Sequence, residues 1–161
     1  MNPGSLAKTS SGAHMKILSP VFGNNKNIPS KYSCDGENIN PPLQFTDVPS
    51  SAKSLVLIVD DPDAPSKTWV HWVIFNIDPK TSKIEENSKP ETGILGMTDF
   101  GRTEWGGPCP PPGTHRYFFK LYALDIILDI SQSSDKKAAT DAIKGHIIAE
   151  SELIGLYSRS K

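Results

Sequence analysis

Proline constrains this chain more than any other residue. Eight of its 14 prolines gather in Asn40-Pro41-Pro42, in Asp61-Pro62-Asp63-Ala64-Pro65 and in Pro108-Cys109-Pro110-Pro111-Pro112. Proline fixes φ and has no N–H, so it breaks helices and is excluded from central strands. Each cluster must therefore be a loop. The segments between them are short and rich in β-branched and aromatic residues: Lys16 to Phe22, Leu43 to Val48, Ser54 to Val59, Trp69 to Ile77 and Arg116 to Leu124. Apolar runs of that size, bounded by turn residues, read as strands buried on one or both faces. The expectation is a mainly β domain.

Only the C-terminal part has helical spacing. Ser134 is the expected N-cap, Asp135 sits at the positive helix end, and Ala139, Ala142, Ile143 and Ile147 form an apolar stripe. Gly145 weakens that helix without necessarily ending it. Periodicity leaves Glu152 to Tyr157 open as a final strand or a second helical turn. The polar stretch from Lys80 to Trp105, with Gly93, Gly96 and Gly101, reads as a long excursion that is functional or carries short structure of its own. No internal repeat is present. Met1 to His14 reads as an expression leader and residues 15–161 as one domain.

Seventeen basic residues balance 18 acidic ones, a net charge of −1. Such a chain generates no strong field toward nucleic acid or an anionic membrane, so any anion recognition must be local. No run approaches the roughly 20 apolar residues of a membrane span, and the N-terminus has no apolar signal core. The expected location is the cytoplasm, or the periplasm had a native signal been removed. Cys34 and Cys109 lie far apart and show no CxxC spacing, which gives zinc or thioredoxin-like chemistry little support. Two free thiols are expected over one disulfide, as suits a cytosolic protein.

Three segments could carry chemistry. Asp60, Asp61 and Asp63 end an apolar strand, either as a surface turn with side-chain capping or as a rigid pocket wall. His71 lies inside Trp69-Val70-His71-Trp72; a hairpin would bring it near Asp61 or Asp63, orienting the ring and raising its pKa. In Gly106 to Tyr117, alternation places His115 and Tyr117 on one face and Arg116 on the other. Imidazole and phenol are donors suited to a phosphate or carboxylate oxygen. His146, beside the expected helix, is assigned only packing or capping. Cys109 could be imagined as a nucleophile, and Asp61, His71 and His115 as a two-histidine, one-carboxylate metal set. No GxSxG elbow or P-loop accompanies them.

In this order and spacing, Asp61-Pro62-Asp63-Ala64-Pro65, His71, Gly107-Pro108 and His115-Arg116-Tyr117 resemble the two ligand-site motifs of the phosphatidylethanolamine-binding protein family. Tyr32-Ser33-Cys34-Asp35-Gly36, Asn40-Pro41-Pro42-Leu43 and Lys144-Gly145-His146-Ile147 resemble its bacterial and archaeal branch. The resemblance implies a large antiparallel sheet packed on a smaller one, with a C-terminal helix. It implies a pocket for phosphate-like or carboxylate anions made by Asp61, His71, His115 and Tyr117. Asp63, Gly107, Pro108 and Cys109 would support the walls, Cys109 standing where many eukaryotic relatives have proline. The function implied is binding of phosphorylated head groups or other phospho-ligands. Inhibition of a kinase or protease, as in the Raf kinase inhibitor-like proteins, is the alternative, and hydrolysis comes last. No catalytic residue, metal, cofactor, nucleic acid or membrane insertion is implied; a homodimer or an unidentified protein partner remains open.

Overall fold

A computed structural model describes residues 14–132 and 134–159. Of the expected leader, only His14 is among the described residues. The strands are β1 (Lys16–Leu18), β2 (Lys26–Asn27), β3 (Leu43–Thr46), β4 (Ser54–Asp61), β5 (Trp69–Ile77), β6 (Lys83–Ile84), β7 (Ile94–Leu95), β8 (His115–Leu124) and β9 (Ile147–Tyr157). One helix, α1 (Lys136–Ile143), separates β8 from β9. A six-stranded sheet has the order β2-β9-β8-β4-β5-β7 and a three-stranded sheet the order β1-β3-β6. Pairing is antiparallel except between β2 and β9. This is the expected mainly β architecture.

The large sheet is covered on both sides, which explains the unbroken apolar run at its centre. Every residue of β4 is buried. Leu55, Leu57 and Val59 face one core, which they share with Tyr117, Phe119 and Leu121 of β8 and with Ile17, Leu43, Phe45 and Ile84 of the small sheet. Val56 and Ile58 face the other, with Val73, Phe75 and the α1 residues Ala139 and Ile143. Each fully buried Leu, Ile or Phe contributes roughly 1.5–3 kcal/mol of transfer free energy. The sandwich is therefore held mainly by these two layers, and its open ends are free to carry a site.

The helix differs from its expectation at both ends. Asp135, not Ser134, is the N-cap: its side chain accepts from the Ala138 N–H at 3.0 Å. Ser134 lies one residue outside, its carbonyl accepting from Met97 N–H. Gly145 does end the helical region, with φ +80 in the left-handed conformation that closes helices. Ile147 opens β9 instead of extending the apolar stripe, and Glu152 to Tyr157 is strand. His146 pairs with Asp125 at 2.9 Å. The polar excursion holds β6 and β7 and then returns to the end of the sheet.

The cysteines correct the free-thiol expectation: Cys34 and Cys109 form a disulfide with a Cα separation of 5.4 Å. Sequence spacing could not show this, because the proline-rich loop is brought to Cys34 by the fold. The Cys34 N–H donates to the Pro108 carbonyl at 3.1 Å, laying the two segments side by side. Among the described residues no helix is long and apolar enough to cross a membrane.

Candidate functional site

The site forms at the open end of the large sheet, where β4 runs out, β5 begins and β8 begins. Pairing across the β4–β5 hairpin carries one irregularity there. Val59 pairs with Trp72 and Asp60 with Val70, so His71 has no partner of its own. A bulge of this kind lets two successive side chains share a face. Val70 and Val73 lie in the α1-side core, whereas Trp72 lies in the core between the sheets and His71 joins the pocket on that same side. Strict alternation does not foretell this placement.

The other polar side chains follow alternation. Asp60 points to the α1 side, where its Oδ2 accepts from Lys136 at 2.7 Å and Lys120 at 3.2 Å. Asp61 points to the pocket side. Its Oδ2 accepts from His115 Nδ1 at 2.6 Å and its Oδ1 from the Asp63 N–H at 2.8 Å. On β8, His115 and Tyr117 face the pocket while Arg116 turns outward to clamp both oxygens of Asp63 at 2.8 and 2.9 Å. The Arg116 guanidinium holds the Asp63 carboxyl down to about 2. Asp63 thus fixes the rim, as a charge-assisted bidentate pair does, and does not line the pocket.

His71 is anchored differently from the expectation. Its Nδ1 lies 2.6 Å from the Gly106 carbonyl. No carboxylate orients it; Asp61 holds His115 instead. Its pKa is lowered, not raised, because burial disfavours the cation. The Gly106 carbonyl and the negative charges of Asp61, Asp60 and Asp99 oppose that effect without overcoming it. Tyr117 stays a phenol, its pKa pushed far up by burial and by Asp61 and Asp63.

These groups line one cavity of about 270 Å³. Asp61, His71, His115 and Tyr117 make its polar part. Trp69 and Phe100 form one wall, and Pro65, Pro110, Pro111 and Cys109 another. The His71 ring packs edge-on against Tyr117 and Phe100 at 5.2 and 5.3 Å. Gly106 must lack a side chain, since a Cβ there would enter the Phe100 ring. Gly107 and Pro108 stand behind the wall: the Gly107 N–H donates to Asn38 Oδ1 at 2.8 Å, and Pro108 bonds the Cys34 backbone. All four expected ligand groups therefore converge, with Cys109 beside them. Phe100 was not expected; its only signal was that, with Trp105, it is one of two aromatic residues in a polar, glycine-rich excursion.

A second hollow of about 300 Å³ lies beside Asn38, Asn40 and Trp105. Two of its amides are already engaged, Asn40 by Ser88 N–H and the Glu85 carbonyl and Asn38 by Gly107. Size alone does not outweigh the unengaged imidazole and phenol groups of the first cavity. The metal alternative finds no geometry: among the described residues no three His, Cys, Asp or Glu side chains are grouped to hold an ion. Cys109 has no thiolate to offer as a nucleophile, its sulfur being bonded to Cys34.

Comparison with known proteins agrees with this fold. A family model described as phosphatidylethanolamine-binding protein matches residues 18–158. A UPF0098 protein of Methanothermobacter thermautotrophicus is 51% identical over 150 residues, covering 90% of this chain and 99% of the relative. One from Aquifex aeolicus is 44% identical over 155 residues, covering 92% and 91%. The crystal structure of a putative phosphatidylethanolamine-binding protein homologue, CT736 of Chlamydia trachomatis, superposes with a TM-score of 0.88 at 42% identity, covering 93% of this chain and 100% of that one. That of E. coli YbcL, described as a member of the mammalian family, superposes with a TM-score of 0.85 at 27% identity, covering 92% and 100%.

Proposed function

The chain belongs to the phosphatidylethanolamine-binding protein family, and from that premise we propose that it binds small oxyanions of the phosphate type in the pocket of Asp61, His71, His115 and Tyr117. One observation carries the reading: two imidazoles, each anchored through Nδ1, and a buried phenol meet at a single cavity. Binding needs such fixed groups and shape but no activated nucleophile. Tyr117 donates its O–H, His115 donates through Nε2 when protonated, and Asp61 balances the resulting imidazolium. The volume of about 270 Å³ is below the roughly 300–1,000 Å³ of drug-sized sites. It suits a head group such as phosphorylethanolamine rather than a whole lipid, and Trp69 and Phe100 offer apolar contact to whatever follows the anion.

Turnover is not part of the proposal. Among the pocket-lining side chains there is neither a serine or threonine hydroxyl nor a free thiol. The disulfide supports an oxidising compartment over the expected cytoplasm.

The test is a titration with inorganic phosphate and with phosphorylethanolamine, following the His71 and His115 ring signals by NMR. Saturable shifts of both rings, lost in His115→Ala while the fold is retained, are the expected result. Unmoved rings at millimolar ligand reject the reading and turn attention to protein partners.

A further inference from the structure

We infer that the hollow of about 300 Å³ beside Trp72 and Trp105 is a second ligand site, built for a small zwitterion of the amino-acid type. The inference goes beyond the anion pocket and does not rest on it. A buried donor without an acceptor carries it.

Trp72, in the middle of β5, is only 2% exposed, yet its indole Nε1–H has no acceptor among the described residues. The neighbouring Trp105 shows the ordinary arrangement, its Nε1–H donating to the Tyr32 carbonyl at 3.2 Å. Among the described side chains only Asp60 Oδ1 is both without a partner and wholly shut off from solvent. The Trp72 N–H therefore has open space before it, and this hollow is what Trp72 lines.

Asn38 adds a second donor. Its Oδ1 accepts from the Gly107 N–H at 2.8 Å, which fixes the orientation of the amide. Its Nδ2 hydrogens are unused among the described residues, and the side chain lines the hollow. Buried Asn40 makes the site rigid. Its side chain accepts from the Ser88 N–H at 2.8 Å and donates to the Glu85 carbonyl at 2.9 Å, and its own carbonyl accepts from the Asn87 N–H at 3.1 Å. The segment that leads to Lys89 is thus tied in place before any ligand arrives.

The lining selects the chemistry of the ligand. Two fixed donors ask for an acceptor, and a carboxylate is the strongest one available. Lys89 and Glu104 both line the hollow, and neither forms an ion pair among the described residues. Exposed charges are ordinarily left to water, but a zwitterion matches both at once. Its carboxylate takes Trp72, Asn38 and Lys89, and its ammonium takes Glu104. Ile39 and Leu95, half-buried against the core, offer contact to a short aliphatic side chain. An inorganic anion leaves Glu104 unmatched. A sugar needs an open aromatic face, whereas Trp105 is buried, stacked on Phe119 at 6.0 Å and edge to face with Trp72 at 5.5 Å.

The hollow stands back to back with the anion pocket. Trp72 follows His71 in β5, and Gly107, held by Asn38, follows Gly106, whose carbonyl holds His71. The test must therefore separate the two cavities.

The experiment follows the three tryptophan indole N–H signals of the intact protein by NMR during titration with L-leucine, Trp72 being assigned through Trp72→Phe. We expect the Trp72 signal to move saturably, and to move equally with inorganic phosphate present in excess. N-acetyl-leucinamide keeps the side chain and loses both charges; it should bind about tenfold more weakly or worse, the value of one hydrogen bond to a charged group. Asn38→Asp keeps the oxygen that holds Gly107, removes the Nδ2 hydrogens and sets a negative charge against the ligand carboxylate. Aspartate also tolerates the φ of 60 found at Asn38. Leucine binding should fall by about tenfold or more in this variant. Glu104→Gln, at an exposed position, should weaken leucine several-fold and leave N-acetyl-leucinamide unaffected. A Trp72 signal unmoved at tens of millimolar leucine, or equal binding of leucine and N-acetyl-leucinamide, overturns the inference. Displacement of leucine by phosphate overturns it too, since the carboxylate would then occupy the anion pocket.

Discussion

Reducing the Cys34–Cys109 bond tests how the pocket wall is held. The bond spans a sequence separation of 75 residues. In the chain-entropy account, closing a loop of that size removes about 15 cal/mol/K from the denatured chain, or about 4.5 kcal/mol at 25 °C. Measured losses fall in the range of about 2–5 kcal/mol, and here the lower half is expected. The two loops are also joined by the Cys34 N–H to the Pro108 carbonyl, by Gly107 N–H to Asn38 and by Trp105 Nε1 to the Tyr32 carbonyl. For a domain of this length each kcal/mol moves the melting temperature by about 2–4 °C, so a loss of about 3 kcal/mol predicts a drop of about 6–12 °C. The assay is thermal unfolding by circular dichroism of the oxidised protein, of protein reduced with excess dithiothreitol, and of Cys34→Ser/Cys109→Ser. Thiol titration runs alongside and must find two free thiols after reduction. Because Cys109 and its neighbours Pro110 and Pro111 line the cavity, phosphate affinity should weaken in the reduced protein as well. A fully reduced protein that melts within about 2 °C of the oxidised one refutes the reasoning, since the hydrogen bonds alone would then hold the loop.

Three further outcomes follow from the site. Tyr117→Phe removes a donor while leaving the buried ring and its contacts with His71 and His115. It should weaken phosphate binding about tenfold or more, the value of a hydrogen bond to a charged group, with an unchanged melting temperature. Asp63→Asn bears on acid stability: the folded-state pKa is lowered to about 2 from the ordinary 3.8. Its stabilisation is therefore complete above pH 4 and is lost as pH falls through the window between 4 and 2. The melting temperature of the wild type should fall across that window more steeply than that of the variant, and parallel curves would contradict the assignment. Gly107→Ala should destabilise the protein and fail to be rescued by phosphate, because a Cβ there meets the Tyr32 carbonyl and Asn38 Oδ1; chemical unfolding measures it.

Much of the architecture was legible because the proline clusters and the apolar runs carry independent signals that agree. A continuous run such as Leu55 to Val59 reports a strand covered on both faces, and β4 is buried from end to end. The misread parts depend on single residues whose effect is conformational. Gly145 could sit in a helix or end one, and its positive φ decides the matter only in the folded chain. Asp135 displaced Ser134 as cap because either side chain can accept at that position, and one residue of phase selects between them. The disulfide was invisible because it depends on where two loops meet, not on spacing.

The site shows the same division between pattern and placement. Asp60 and Asp61 are adjacent, alike in sequence, and both buried, yet period two sends them to opposite faces of β4. Asp60 reaches two lysines and serves the packing of α1 on the sheet. Asp61 reaches His115 and serves the pocket. Alternation from β8, where His115 and Tyr117 must share a face, indicates which carboxylate can meet them once β4 and β8 pair, with Asp60 opposite Phe118. The partner of His71 was out of reach of that argument. The bulge shifts its phase by one residue, and its hydrogen bond goes to a backbone carbonyl in a loop 35 positions away. Side-chain type told that a histidine was present, while the backbone decided which of its nitrogens faces the cavity.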